Sequence, residues 1–191
     1  MSFYTSKNPC PCESGRDYLF CCGNVENRIF ELGELNQQGQ CNAELSRPMQ
    51  EALMRFNREP SLFPISLDTL SNKAVLSKMS PFWFSESVFL DQDRILGKCR
   101  LQCNLQWLKL QADHIVYQPT NYIFHTAFCG STIISKALEN IYQSLVLREP
   151  DILGSLVQFK HANMDSELLE TWYKRITALL SRRFEPESSA A

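Results

Sequence analysis

The chain has 191 residues, 44% hydrophobic and 21% charged, with a net charge of −2, which suits one domain plus an appendage or two small domains. This charge balance disfavours nucleic acid or an acidic membrane surface as partner, and no apolar run is long enough to span a bilayer. Because no apolar stretch follows Lys7 as it would in a secretory signal, we expect a cytoplasmic protein with reduced thiols.

Half of the eight cysteines lie in the first two dozen residues. Clustered thiols in a reducing compartment point to a metal and not to a disulfide framework. Zn²⁺ takes four tetrahedral ligands and accepts thiolates readily. The sequence therefore predicts a zinc site with four thiolate ligands, namely Cys10, Cys12, Cys21 and Cys22.

The residues between these cysteines favour a compact knuckle. Pro9 and Pro11 restrict φ on either side of Cys10, and Ser14-Gly15 is a turn signal that reverses the chain. A segment this short buries little core, so zinc would supply most of its folding free energy, on the order of 10 kcal/mol. Four filled positions leave none for water, which indicates a structural site. The alternatives are a vicinal disulfide at Cys21-Cys22 or four ordinary buried thiols.

The order Cys-Pro-Cys, Ser-Gly, Cys-Cys-Gly over residues 9–23 resembles the SEC-C motif, the zinc-binding tail of the bacterial preprotein translocase motor SecA. Glu13 stands where that family usually has glycine, which affects a turn and no ligand. The resemblance implies a Cys₄ zinc site that contacts other proteins or the ribosome.

The middle of the chain begins with helical patterning. Residues 25–57 have apolar side chains at spacings of three, four and seven, and Gly39 and Pro48 divide the segment into two short helices. Residues 59–72 hold two prolines with several Ser and Asn, and we expect a linker or loop there.

Two further segments of the middle are rich in large apolar side chains. Residues 80–90 are dense in aromatics but lack interleaved Lys or Arg, which favours packing over base or sugar stacking. Residues 93–110 predict a helix with Cys99 and Cys103 on its apolar face. Those two thiols could share a metal, but as small apolar side chains they need none.

The third region carries a strand–loop–helix–strand pattern. Residues 121–128 are β-prone, Cys129–Thr132 form a tight turn, residues 133–141 have one apolar helical face, and residues 145–149 form a second short strand. This order predicts a right-handed βαβ unit with parallel strands. Such a loop at a helix N-terminus suits a phosphate, and the alternative is an ordinary turn capped by Ser131.

The same region is similar to the sulfotransferase branch of the P-loop fold, in which an Arg-Ser-Gly-Thr-Thr loop binds the 5′-phosphate of the sulfuryl donor PAPS. Cys129, Gly130, Ser131 and Thr132 align with Ser-Gly-Thr-Thr, and Phe128 falls where that family has a basic residue. The resemblance implies a phosphate loop at Cys129–Thr132.

Glu149, before Pro150, is similar to the Glu-Pro that ends the second strand in carbohydrate sulfotransferases, where it can be a general base. The alternative is a strand-end carboxylate paired with Arg148. His125 lies inside the first predicted strand, and we expect a core histidine there rather than a catalytic one.

The last element is a helix from Asp165, with Asp165 or Ser166 as its cap and Arg182 and Arg183 at its C-terminal end. The predicted class is therefore α/β, mostly helical. We expect a zinc knuckle at 1–24, a helical region at 25–116, and at 117–191 a partial sulfotransferase-like domain that ends before the family's later strands.

Two functions follow from these patterns. The first is a zinc-binding interaction protein that meets a protein partner through its knuckle, with an incomplete and inactive sulfotransferase-like domain. The alternative is an enzyme that binds PAPS at Cys129–Thr132 and transfers a sulfuryl group to a hydroxyl acceptor, with Glu149 as base. A nucleic-acid-binding zinc protein is disfavoured by the acidic net charge. The sequence gives no indication of the oligomeric state.

Overall fold

The structure is a computed structural model that describes residues 10, 16–17, 20, 30–45, 47–91, 94–95, 99–126, 129–142, 144–161 and 165–184. Within these residues, no helix is both long and apolar enough to cross a membrane. The elements in chain order are β1 (Phe30–Leu35), α1 (Arg47–Met54), β2 (Leu62–Asp68), β3 (Lys73–Lys78), α2 (Pro81–Glu86), β4 (Cys99–Asn104), α3 (Leu105–Asp113), α4 (Ser131–Tyr142), α5 (Ile152–His161) and α6 (Ser166–Leu180).

The four strands form one mixed sheet in the order β1-β4-β3-β2. β1 and β4 are parallel, whereas β4 with β3 and β3 with β2 are antiparallel. Helices and a small mixed sheet with one parallel pair agree with the α/β class. The sheet, however, lies wholly within residues 25–116, so the prediction of a helical middle region is wrong.

The segment predicted as a linker, residues 59–72, contains the edge strand β2. Pro64 and the surrounding serines suggested a loop, but proline is tolerated at a sheet edge because no strand needs its missing N–H. The register between β2 and β3 shifts between Pro64 and Ser66. Beyond the shift, the hydroxyl of Ser155 on α5 accepts a hydrogen bond from Leu67 N (3.2 Å), so α5 covers this edge.

The helix predicted over 93–110 is a strand followed by a helix. Leu101 and Cys103 are buried at the alternate positions of β4, and burial raises the pKa of the Cys103 thiol. Asn104 then caps α3 by accepting a hydrogen bond from Gln106 N (2.8 Å). A spacing of four residues keeps side chains on one face of a helix and also of a strand, which explains the error.

Of the two short helices predicted over residues 25–57, α1 is formed, whereas Phe30–Leu35 form the strand β1. Met49 and Phe56 are buried, and the ring of Phe56 contacts that of Trp107 on α3 at 5.1 Å between centroids. Gly39 lies in the turn after β1 with a φ of +78°, and a Cβ there would stand 2.7 Å from Trp107 Nε1. Only glycine fits that approach.

The aromatic segment at 80–90 is packed, as predicted. Ser80 caps α2 through a hydrogen bond from Trp83 N (3.3 Å), and Trp83 and Phe84 are buried. Phe84 meets Phe63 of β2 edge-on at 5.2 Å, which joins this short helix to the sheet.

The final helix is confirmed as α6, with Asp165 at its N-cap position. Trp172 and Ile176 are buried, and Arg175 forms a two-point ion pair with Asp113 of α3 at 2.7 and 3.2 Å. Elements on both sides of the boundary predicted between residues 116 and 117 therefore share one hydrophobic core.

Arg182, directly after α6, is the most deeply buried cation that the structure describes. It is 2% exposed, and its guanidinium donates hydrogen bonds only to main-chain carbonyls. Burial lowers its pKa to about 9, partly opposed by the charge of Glu59, so it remains protonated at neutral pH. The accepting carbonyls are those of Phe56, Glu59, Leu62 and Leu179.

Candidate functional site

The predicted phosphate loop, Cys129–Thr132, forms the entry into α4. Gly130 has a φ of +78°, and its carbonyl accepts hydrogen bonds from Ile133 N (2.9 Å) and Ile134 N (3.2 Å). No described atom would lie within 4 Å of a Cβ at Gly130, apart from its chain neighbours, so the space beside the loop is open. Ser131 is the first residue of α4, one position past a cap. The loop thus has the general form of an anion site at a helix N-terminus.

The strands predicted on both sides of this loop are not formed in the part of the chain that the structure describes. Residues 121–126 and 144–149 belong to no strand, and the βαβ prediction is wrong to that extent. Tyr122, Ile123 and Phe124 are 44%, 55% and 94% exposed. A strand needs a neighbour for its backbone groups, and α5 already covers the β2 edge of the sheet.

Beneath α4 lies a polar cluster that we call the α2–α4 joint, made of Ser85, Ser135, Lys136, Glu139 and Arg148. Arg148 is 7% exposed and donates from Nε to Ser135 Oγ (2.8 Å) and from Nη2 to Glu139 Oε1 (2.5 Å). Its Nη1 group donates to three carbonyls of α2 and its C-cap, those of Phe84, Ser85 and Ser87. The joint therefore fixes α4 to α2 through one buried, charge-assisted network.

Lys136 belongs to the same joint. Its ammonium group donates to Ser85 O (2.5 Å) and lies 3.9 Å from a carboxylate oxygen of Glu139. Lys136 and Arg148 both follow the phosphate loop in sequence, yet both donate hydrogen bonds to carbonyls of α2. The described structure therefore gives these two cations partners inside the fold and not at the loop.

Glu149 lies directly after the joint, in a backbone conformation with a φ of +46°. Its carboxylate is 3.5 Å from Nε2 of His125, and both side chains are partly exposed. Arg148 pairs with Glu139, so the pairing of Glu149 with Arg148 that the sequence left open is not formed. His125 is likewise not the core histidine that we expected. A positive φ is costly for glutamate, and such residues are concentrated at functional sites.

Helix α4 packs with its polar face inward. Ser135 is buried, whereas Ile133, Ile134 and Ile141 are 76%, 47% and 69% exposed. The sequence correctly predicted a helix with one apolar face, but that face is turned away from the core. In the described residues, α4 is held by hydrogen bonds and ion pairs rather than by apolar burial.

Of the predicted zinc ligands, only Cys10 lies within the described residues. It is 4% exposed, and its N–H donates to Arg16 O (2.8 Å), which closes a turn. Cys12, Cys21 and Cys22 lie outside the described residues. No group of three or more His, Cys, Asp or Glu within those residues could hold a metal ion, so the zinc site stays a prediction.

Sequence reasoning missed the α2–α4 joint. The local signal was weak: Lys136 and Glu139 interrupt an apolar helix, and Arg148 ends an apolar run. The partners of Arg148 on α2 are 61 to 64 residues away in sequence, so no local pattern could identify them.

The candidate site therefore consists of a loop at the start of α4 and two cations engaged in the joint, and Glu149 forms a separate pair with His125. This arrangement has the form of a phosphate site but lacks a cation directed at the loop from the described residues. Comparison of the chain with family models, with curated proteins and with solved structures finds no match.

Proposed function

We propose that this protein is a zinc-stabilised interaction protein. In this proposal a structural Cys₄ site of the SEC-C type (Cys10, Cys12, Cys21 and Cys22) contacts a protein partner. It is joined to an α/β body whose sulfotransferase-like segment does not transfer sulfuryl groups. The observation that carries the proposal is that Arg148 and Lys136 are both bonded inside the α2–α4 joint.

Sulfuryl transfer needs positive charge at the loop. A transferring sulfuryl group and a 5′-phosphate both need cationic or hydrogen-bonding groups aimed at their oxygens. The resemblance places the family's basic residue at position 128, which is phenylalanine here. Moving Arg148 to the loop would break its hydrogen bonds and leave Glu139 without its strongest partner, a cost of several kcal/mol. Backbone N–H groups at Gly130–Thr132 alone would bind a phosphate weakly.

The zinc part of the proposal is supported by the state of Cys10. Its N–H donates to the carbonyl of Arg16 (2.8 Å), so the main chain at residue 16 lies beside that at residue 10. A reversal at this point is what a knuckle needs to bring the second cysteine pair near the first.

Zinc content tests the metal site. We expect about one zinc per purified chain by elemental analysis, with four thiolate ligands in the X-ray absorption spectrum. Cys12→Ser should lose the metal, whereas Cys129→Ser, which removes an exposed thiol of the phosphate loop, should retain it. Equal zinc content in the two variants would contradict this part of the proposal. So would a wild-type chain that binds no zinc even after refolding in the presence of zinc.

Calorimetry tests whether the phosphate loop binds a nucleotide. We expect no saturable heat when PAPS or its desulfated product is titrated into the wild-type, zinc-loaded chain. Tight saturable binding of either nucleotide would overturn this part, whatever the zinc content.

A second function, the sulfotransferase-like enzyme, is favoured by the contact between Glu149 and His125. A carboxylate held by a histidine could accept a proton from a hydroxyl acceptor. If this function holds, Thr132→Ala weakens nucleotide binding without unfolding the chain, and Glu149→Gln lowers turnover while nucleotide binding is kept. Absence of donor binding in the wild type would eliminate this alternative.

A further inference from the structure

The turn after α1 and the ends of α3 and α6 meet around a cavity of about 340 Å³. Its polar lining comes from Asn57, Arg58, His114, Gln118 and Arg182, and its apolar lining from Ile115 and Val116. None of these residues belongs to the phosphate loop or to the α2–α4 joint. We call this space the basic cavity, because the ionisable side chains that line it among the described residues are two arginines and one histidine.

The charge of Arg182 in the cavity wall is not neutralised by a hydrogen-bonded carboxylate. Each hydrogen bond of its guanidinium goes to a main-chain carbonyl, which carries only a partial charge. The carboxylate of Glu59 interacts with Arg182 only through its electrostatic field. Its Oε1 lies 3.7 Å from Nη1 of Arg55. A buried unit charge of this kind produces a positive potential in the adjoining space.

The cavity also offers donors that lack partners. The side chains of Arg58 and His114 have no hydrogen-bond or ion-pair partner among the described residues. Asp113, next to His114 in sequence, is engaged by Arg175 and does not line the cavity. The amide oxygen of Asn57, buried in the same wall, is an acceptor without a partner, which a hydroxyl group of the ligand would satisfy. Unpaired groups around an empty space are expected where a polar ligand binds.

We propose that the basic cavity binds a small anionic ligand, one that presents a carboxylate or phosphate group. Arg58 donates to the anion at the rim, His114 adds a second donor, and the fixed charge of Arg182 attracts it from within the wall. Ile115 and Val116 contact the apolar part of the ligand. This site is independent of the zinc knuckle and of PAPS binding at Cys129–Thr132.

Titration of the isotope-labelled full chain with phosphate or acetate, at constant ionic strength, tests the proposal by nuclear magnetic resonance. We expect saturable shifts of the backbone amides of Arg58, His114, Val116 and Gln118 with at least one of the two anions. The anion that saturates assigns the ligand class. Shifts that do not saturate, or that are spread over all exposed Lys and Arg, would overturn the proposal.

Two arginine variants separate a site from general surface charge. Arg58→Gln should weaken binding about tenfold, because it removes a charge-assisted donor at the cavity. Arg47→Gln is the matched control: it removes the same charge from an exposed side chain of α1 that pairs with Glu51 and does not line the cavity. Equal loss in both variants would refute a specific site, and circular dichroism verifies that both remain folded.

Discussion

At the scale of single residues, two buried arginines connect segments that are distant in sequence. Arg148 donates hydrogen bonds to carbonyls of α2 and its C-cap and to the carboxylate of Glu139. Arg182 donates to carbonyls of the turn after α1 and of the first residue of β2. Guanidinium suits this role because its five donors are fixed in one plane and stay charged. The sequence marked Arg148 only as a neighbour of Glu149, and the structure makes it the centre of the joint.

Replacing Arg148 by methionine should lower the free energy of unfolding by about 3 kcal/mol or more, because Glu139 and three carbonyls lose a buried partner. Urea denaturation followed by circular dichroism measures the loss. Adding Glu139→Leu to Arg148→Met should recover part of it, since the unpaired carboxylate is then removed as well. A loss below about 1 kcal/mol for the single variant would show that the joint is not cooperative.

At the scale of elements, α4 reverses the usual orientation of an amphipathic helix. Its isoleucines are exposed, while Ser135, Lys136 and Glu139 face α2. An apolar stripe normally predicts the core face, and this inference is reliable for α1 and α6. For α4 it fails because a buried arginine supplies polar partners that the sequence pattern cannot reveal.

The orientation of α4 yields a paired prediction. Ile133→Gln should change the free energy of unfolding by no more than about 0.5 kcal/mol, since Ile133 is 76% exposed. Ile176→Gln, on the buried face of α6, should cost more than about 3 kcal/mol, because it leaves a cavity and an unpaired amide in the core. Thermal or urea denaturation of both variants gives the comparison. Similar costs at the two positions would mean that the apolar face of α4 is buried after all.

The elements that the sequence predicted well are those with strong local periodicity. α1 and α6 repeat apolar side chains every three or four residues, and the aromatic stretch of α2 packs as expected. The four strands β1 to β4 were all missed. They are short, β2 contains Pro64, and the pairing that stabilises a strand is with residues distant in sequence.

At the scale of the whole molecule, residues from 10 to 180 contribute to one core, so the predicted division between residues 116 and 117 does not separate two independent cores. The turn at Gly130 and the helix after it were predicted correctly, and phosphate binding by this loop stays a prediction. The partners of Lys136 and Arg148 were not predicted, because they depend on tertiary contacts. The predicted zinc site is the one proposal that rests on sequence spacing more than on tertiary contacts.

This shared core predicts one cooperative transition. Arg182→Met should lower the midpoint of urea denaturation strongly, with a loss of about 3 kcal/mol, because four carbonyls lose a buried charged donor. Far-ultraviolet circular dichroism and tryptophan fluorescence should change together. Arg183→Met is the control: its exposed bond to Pro119 O (2.6 Å) is worth no more than about 1 kcal/mol. Separate transitions for the two signals would contradict a single core.

The bonds of Arg182 to residues 56–62 also determine when the fold can be completed during synthesis. They join groups 120 to 126 positions apart along the chain. Chains emerge from the ribosome N-terminus first, so β2 and the turn before it are made long before their guanidinium partner. Until residue 182 has emerged, those carbonyls stay hydrated and the adjoining apolar surface stays open. The nascent chain should therefore expose this surface until residue 182 has emerged, and the core closes only when α6 and Arg182 have joined it.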